Sequence, residues 1–192
     1  MTSRRRSQVL SHPGAMSGRP LELRIEDGPS PGPGEIVIEV AACGVCRTDL
    51  QLVEGDLAAR RLPIVPGHQV VGRVAALGDG VQRWSLGDRV GVAWLAGSCG
   101  ECRRCRSGDE NLCDLAEFTG WDRDGGYADT MLARADFVFP IRQSDLLAMS
   151  MDESVGGWQL PTAVAGAGLA WFHAANVGTA AYVLLSVANA NL

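Results

Sequence analysis

Apolar and polar positions divide this chain into short strand-like runs with glycine and proline breaks up to position 140, and an uncharged stretch further on. Residues 35–42 alternate well enough for a half-buried strand, and residues 21–27 predict a first strand before it. Pro29, Pro31, Gly32, Pro33 and Gly34 make a hard turn between the two. Residues 48–54 predict a short helix with Thr48 as its N-cap. A strand is expected over 68–77, interrupted at Gly72, after which Gly78, Asp79 and Gly80 turn the chain. Gly87 and Asp88 lead into a strand over 89–95, and runs at 127–133 and 136–140 close the series. Residues 1–20 are expected to be a loose start, and no internal repeat is seen. Short strands at regular spacing with glycine-rich turns predict a mainly β domain with short helices over 21–140, built as a partly open β-barrel.

The pattern changes after Pro140. No Asp, Glu, Lys or Arg occurs from 154 to 192, so 141–192 reads as a separate Ala- and Gly-rich tail. Residues 163–188 are long enough to span a bilayer. Their polar members (His173, Asn176, Thr179, Ser186) and small side chains make a poor span, so no membrane partner is expected. With 192 residues, 46% hydrophobic and 20% charged, the composition suits a soluble globular protein. A net charge of -5 gives no general attraction for nucleic acid, which is not expected as a partner. Arg4, Arg5 and Arg6 are not followed by an apolar run, so the start does not read as a signal peptide. All six cysteines lie between positions 43 and 113, which with the missing signal points to a reducing cytoplasm.

Chemistry concentrates in those cysteines. Cys99, Cys102, Cys105 and Cys113 follow a C-x2-C-x2-C-x7-C spacing within a lobe over 97–114. Four thiolates this dense suit one tetrahedral ion, with Zn2+ as the default. Arg103, Arg104 and Arg106 lie among them and could offset the negative charge of such a centre. A disulfide framework and an iron–sulfur cluster are the alternatives. A second set lies upstream: Cys43, Cys46, Thr48 and Asp49, then His68. A cysteine, a histidine and a nearby carboxylate are the parts of a catalytic zinc site, in which Asp49 could orient His68 and Thr48 could pass a proton.

The residues around His68 carry a resemblance. Gly67, His68, Gly72, Gly78 and Val81 fit the zinc signature G-H-E-x2-G-x5-G-x2-V of the medium-chain dehydrogenase family, with Gln69 in place of its glutamate. Cys46, Arg47, Thr48 and Asp49 resemble its first zinc-ligand motif, and Gly87 to Val90 its G-D-R-V turn. The four-cysteine spacing is similar to its structural zinc lobe, and Gly125, Gly126, Tyr127 and Ala128 to the strand re-entry after it. In this order the motifs cover about residues 20 to 140, so the chain resembles a zinc-dependent alcohol dehydrogenase.

The resemblance implies a GroES-like catalytic domain over 21–140. Cys46 and His68 would hold a catalytic zinc that lowers the pKa of an alcohol oxygen, and Thr48 would hand the hydroxyl proton towards solvent. Hydride would pass to NAD or NADP, and the substrate would be a small alcohol or aldehyde. Cys99, Cys102, Cys105 and Cys113 would hold a structural zinc, and an oligomer is compatible with the family. Three departures qualify this. Gln69 is a weaker ligand than a carboxylate. No cysteine follows Cys113 to act as a third catalytic ligand, so the catalytic ion is expected to bind weakly. A nucleotide-binding Rossmann domain is absent: Gly166 and Gly168 begin a G-x-G-x-x-G turn, but Trp171 takes its last glycine position and no acidic residue follows. The chain is therefore expected to be truncated, its tail the product of a frame change or a replacement helix pair, and inactive alone. The alternative is a non-catalytic zinc-binding structural or interaction module, with a disulfide-bonded secreted module as a third reading.

Overall fold

The structure, a computed structural model, describes residues 4–141. The uncharged stretch at 154–192, the apolar run at 163–188 and the glycine turn at 166–171 lie outside the described residues. The described chain is mainly β with few helices, in a curled half-barrel arrangement. Its principal sheet has five antiparallel strands in the order β8-β3-β4-β5-β9. These are β3 (Glu35–Cys43), β4 (Val70–Leu77), β5 (Arg89–Val92), β8 (Thr130–Arg134) and β9 (Val138–Pro140). In β4, Val70, Gly72 and Val74 are buried while Val71, Arg73 and Ala75 are exposed, the period of two that a one-sided sheet requires. The inward side chains meet in one core, centred on Ile36, Ile38, Val74, Val90, Met131 and Val138. Trp84 closes it, its Nε1 donating to the Ala135 carbonyl at 2.8 Å.

The strand at 68–77 begins later than expected and is not interrupted at Gly72. A Cβ on Gly72 would stand 2.2 Å from the Glu39 carbonyl oxygen, so glycine is what lets β4 approach β3. Register shifts in β3 between Val37 and Ile38 and between Val40 and Ala42 mark irregularities of the kind that bend a sheet.

The loose start expected over 1–20 is corrected. β1 (Arg4–Leu10) pairs antiparallel with β2 (Leu21–Asp27) along its whole length. It also bridges to Ala128 through Ser7 and to Ile64 through Leu10. Its inward positions include Arg5 and Ser7, which are polar, so no hydrophobic alternation announces the strand. Arg5 is buried because Glu26 pairs with it at 2.7 Å. Leu10 joins Leu52, Val53 and Ile64 in a second small core.

That second core seats α1 (Arg47–Glu54) by its Leu52 and Val53 face. The N-cap is Cys46, not Thr48, which falls in the first turn. The Asp49 carboxylate closes the helix start by accepting from the Cys46 backbone N–H at 2.9 Å. The run expected over 89–95 splits: β5 ends at Val92, and β6 (Leu95–Gly97) pairs with β7 (Glu117–Phe118) at the base of the cysteine lobe. The short helix α2 (Arg103–Arg106) lies within that lobe. Among the described residues, no helix is long and apolar enough to cross a membrane.

Candidate metal centres

Cys99, Cys102, Cys105 and Cys113 converge. The Sγ–Sγ separations are 3.8 Å for Cys99 and Cys105, 3.5 Å for Cys102 and Cys105, 3.9 Å for Cys102 and Cys113, and 3.6 Å for Cys113 and Cys99. Four sulfurs about 2.3 Å from one zinc stand about 3.8 Å apart along the edges of a tetrahedron, so the donor set fits that ion. All four are free thiols, and these separations are far beyond the roughly 2.05 Å of a disulfide bond. Backbone N–H groups face the sulfurs: Cys102 donates to Cys99 Sγ at 3.4 Å, and Leu115 to Cys113 Sγ at 3.3 Å. Backbone donation at Glu101 and Cys102 lowers the Cys99 thiol to about 6. A hydrogen bond with Ser98 lowers Cys105. At Cys102 the backbone at Cys105 also favours the thiolate, but the neighbouring sulfurs and burial outweigh it and push the thiol up to about 11.

The second constellation is also brought together. Cys46 Sγ lies 3.2 Å from His68 Nε2. Donors at about 2.3 and 2.0 Å from one tetrahedral ion stand about 3.5 Å apart, so this pair fits a shared ion to within a few tenths of an ångström. His68 Nδ1 lies 3.2 Å from Asp49 Oδ1. Asp49 and His68 are both buried. The same Oδ1 accepts from the Gly67 N–H at 3.2 Å, while Oδ2 takes the Cys46 N–H. Burial disfavours the charge on Asp49, yet hydrogen bonds from His68 and Cys46 outweigh it and hold the carboxyl below its ordinary pKa. The carboxylate is committed to orienting both candidate ligands. Thr48 is half-buried beside them in the first turn of α1. Gln69 is half-buried, and its side chain lies against Gly44, where a Cβ would come within 2.6 Å of its Oε1.

His68 is held by a strap. Residues 65–67 pair with 125–127 through Gly125 N–H to Val65 O at 2.6 Å, Tyr127 N–H to Pro66 O at 3.0 Å and Gly126 N–H to Gly67 O at 2.8 Å. Gly67 has φ +95°, and a Cβ there would meet the Tyr127 ring at 2.6 Å and Cys43 Sγ at 2.8 Å. Only glycine passes between those groups. Cys43 lies beside the centre without joining it, and burial pushes its thiol up to about 12.

An aromatic wall adjoins His68 that sequence reasoning missed. The Trp94 ring meets His68 edge-on at 4.7 Å and stacks on Phe118 at 5.0 Å and Trp121 at 5.7 Å. Arg60 lies 4.0 Å over Trp121 and pairs with Asp122 at 3.1 Å. The available signal was Trp94 itself, a large ring near the end of the strand expected over 89–95 and just before the cysteine lobe.

Residues 32–143 match the alcohol dehydrogenase GroES-like domain family, more than half of the chain. The chain is 48% identical over 134 residues to the probable alcohol dehydrogenase AdhA of Mycobacterium tuberculosis, covering 67% of this chain and 39% of that protein. To an alcohol dehydrogenase of Geobacillus stearothermophilus it is 42% identical over 124 residues, covering 64% and 37%. A cobalt- and zinc-bound thermostable alcohol dehydrogenase from Pyrobaculum aerophilum superposes with a TM-score of 0.67 at 33% identity, covering 73% of this chain and 42% of that one. The chain spans about two fifths of the length of the curated relatives it matches.

Proposed function

The chain belongs to the alcohol dehydrogenase GroES-like domain family, and from that premise we propose that residues 4–141 form the metal- and substrate-binding half of a zinc-dependent alcohol dehydrogenase. The reaction would oxidise a small alcohol to an aldehyde or ketone, with hydride passing to NAD or NADP. No dinucleotide-binding unit occurs among the described residues, so the nicotinamide would be held elsewhere. A zinc-binding dehydrogenase from Sinorhizobium meliloti, 29% identical, is bound to NADP in its solved structure, which supports that cofactor class.

Cys46 and His68 would hold the catalytic zinc, and Cys99, Cys102, Cys105 and Cys113 a structural one. When bound, the catalytic ion supplies a Lewis acid that lowers the pKa of the alcohol oxygen. The protein's own part is orientation and proton transfer. Asp49 accepts from His68 Nδ1, which leaves the Nε2 lone pair turned towards Cys46. Thr48, in the first turn after Cys46, would relay the alcohol proton, accepting it at its hydroxyl oxygen as its own proton passes on towards solvent. Trp94 and its stacked neighbours give the approach to His68 an apolar wall. Since Asp49 is occupied, Cys46 and His68 are the donors free for the ion among the described residues of this group, and the site binds more weakly than the lobe.

The observation that carries this reading is the relay from Asp49 through His68 to Cys46 beside the aromatic wall. The test uses the cobalt-substituted chain. A small primary alcohol should perturb the visible spectrum of the wild type, and His68→Ala should abolish that response. A wild-type spectrum indifferent to alcohol would count against the proposal.

A further inference from the structure

The strap that delivers His68 is gripped by carboxylates at both ends. Asp49 holds the Gly67 and His68 end. Three positions before His68, Asp124 Oδ1 accepts the Val65 N–H at 3.2 Å. The next residue completes the grip, the Gly125 N–H donating to the Val65 carbonyl at 2.6 Å. Asp124 is itself fixed from two further segments. Its Oδ1 also accepts from Arg61, and its Oδ2 lies 3.5 Å from Nη2 of the buried Arg5 on β1. The connection from Val65 to His68 has little slack. Val65 and Pro66 are buried, and the Pro66 ring locks its own φ. A Cβ at Gly125 would stand 2.0 Å from the Gly67 carbonyl oxygen, so the two backbones already touch. A shift at Asp124 therefore moves the 65–68 segment and is not absorbed within it. Asp124 belongs to neither donor cluster and has no part in the chemistry assigned so far.

We propose that Asp124 is a positioning residue of the second centre, which through the Val65 N–H sets where the strap places His68 against Cys46. The bond to Val65 matters more than the charge. Arg61 is half-exposed, and an ion pair in such a place contributes little. The Val65 N–H is in a buried residue, where losing its acceptor is costly. The metal part of this inference rests on the proposed role of Cys46 and His68; the positioning of the strap does not.

The test compares the full chain with Asp124→Ala and Asp124→Asn, the second of which keeps a carbonyl oxygen for the Val65 N–H. In the metal-free wild type, the Val65 amide should exchange slowly. Asp124→Ala should quicken that exchange about tenfold and shift the His68 imidazole resonances, while those of the exposed His12 stay in place. With Co2+ as the probe, loss of the ion from the second centre to a chelator should be about tenfold faster in Asp124→Ala. It should stay close to wild type in Asp124→Asn, and the four-cysteine lobe should be unaffected in both. These signals are read on folded protein, so a general loss of stability would not produce them at one centre alone. A fast-exchanging Val65 amide in the wild type overturns the inference and needs no variant. Unmoved His68 resonances in Asp124→Ala overturn it too, as does an Asp124→Asn chain that loses cobalt as fast as the alanine variant. If the His68 resonances move but cobalt never occupies a second site, the positioning stands and the catalytic-metal reading falls.

Discussion

At Asp49 one buried carboxylate gathers donors from the start of α1 and from the strap that ends at His68. Because its folded pKa lies below the ordinary value near 3.9, it contributes stability that is fully present above that pH and is lost as pH falls through the lower folded value. Asp49→Asn should therefore be less stable than wild type at neutral pH, and the difference should shrink on acidification, as followed by denaturant midpoints across a pH series. The cysteines differ from one another in the same residue-level way. In metal-stripped protein at neutral pH, Cys99 with its thiol near 6 is largely thiolate, while Cys43 near 12 is not. Alkylation followed by peptide mass spectrometry should label Cys99 well before Cys43, and raising the pH should close the gap. The ligand types at Cys46 and His68 were legible in the sequence. Tyr127 was visible there only as part of a re-entry motif, since nothing local says that its ring ends against Gly67, 60 positions earlier.

At the scale of elements, hydrophobic alternation located β2, β3, β4 and α1 to within a few residues. It failed where the inward side chains are polar. β1 hides Arg5 and Ser7 inside, and its burial depends on Glu26 across the ribbon, which no local pattern encodes. The N-cap of α1 was misplaced because Cys46 occupies a position usually held by a hydroxyl or carboxamide residue. That β1 is integral has a measurable consequence. Leu10 is fully buried in the second core, so Leu10→Ala should cost about 2–5 kcal/mol in unfolding free energy by chemical denaturation. The cysteine lobe was legible for the opposite reason: its four donors lie within fifteen positions and need only a tight turn to converge. Cys102→Ser should remove about one metal ion per chain by elemental analysis and lower the melting temperature, since a structural zinc site contributes directly to folding.

At the scale of the described molecule, the two proposed ion-binding centres, different in character, depend on one framework. The lobe builds its centre from a single segment. The other centre joins residues 46 and 68 only because β1, α1 and the 120–127 segment hold the 64–68 strap in place. That difference explains why spacing alone reveals the first centre, whereas the second was found through a family resemblance. It also sets the expected order of metal retention, four sulfurs against one sulfur and one imidazole among the described residues. The most direct measurement is metal stoichiometry of the zinc-loaded chain during graded exposure to a chelator, with Cys46→Ser in parallel. Two zinc ions per chain are expected, one leaving readily and one retained, and Cys46→Ser should lack only the ion that leaves readily. A single ion per chain, unaltered in amount and retention by Cys46→Ser, would contradict the account.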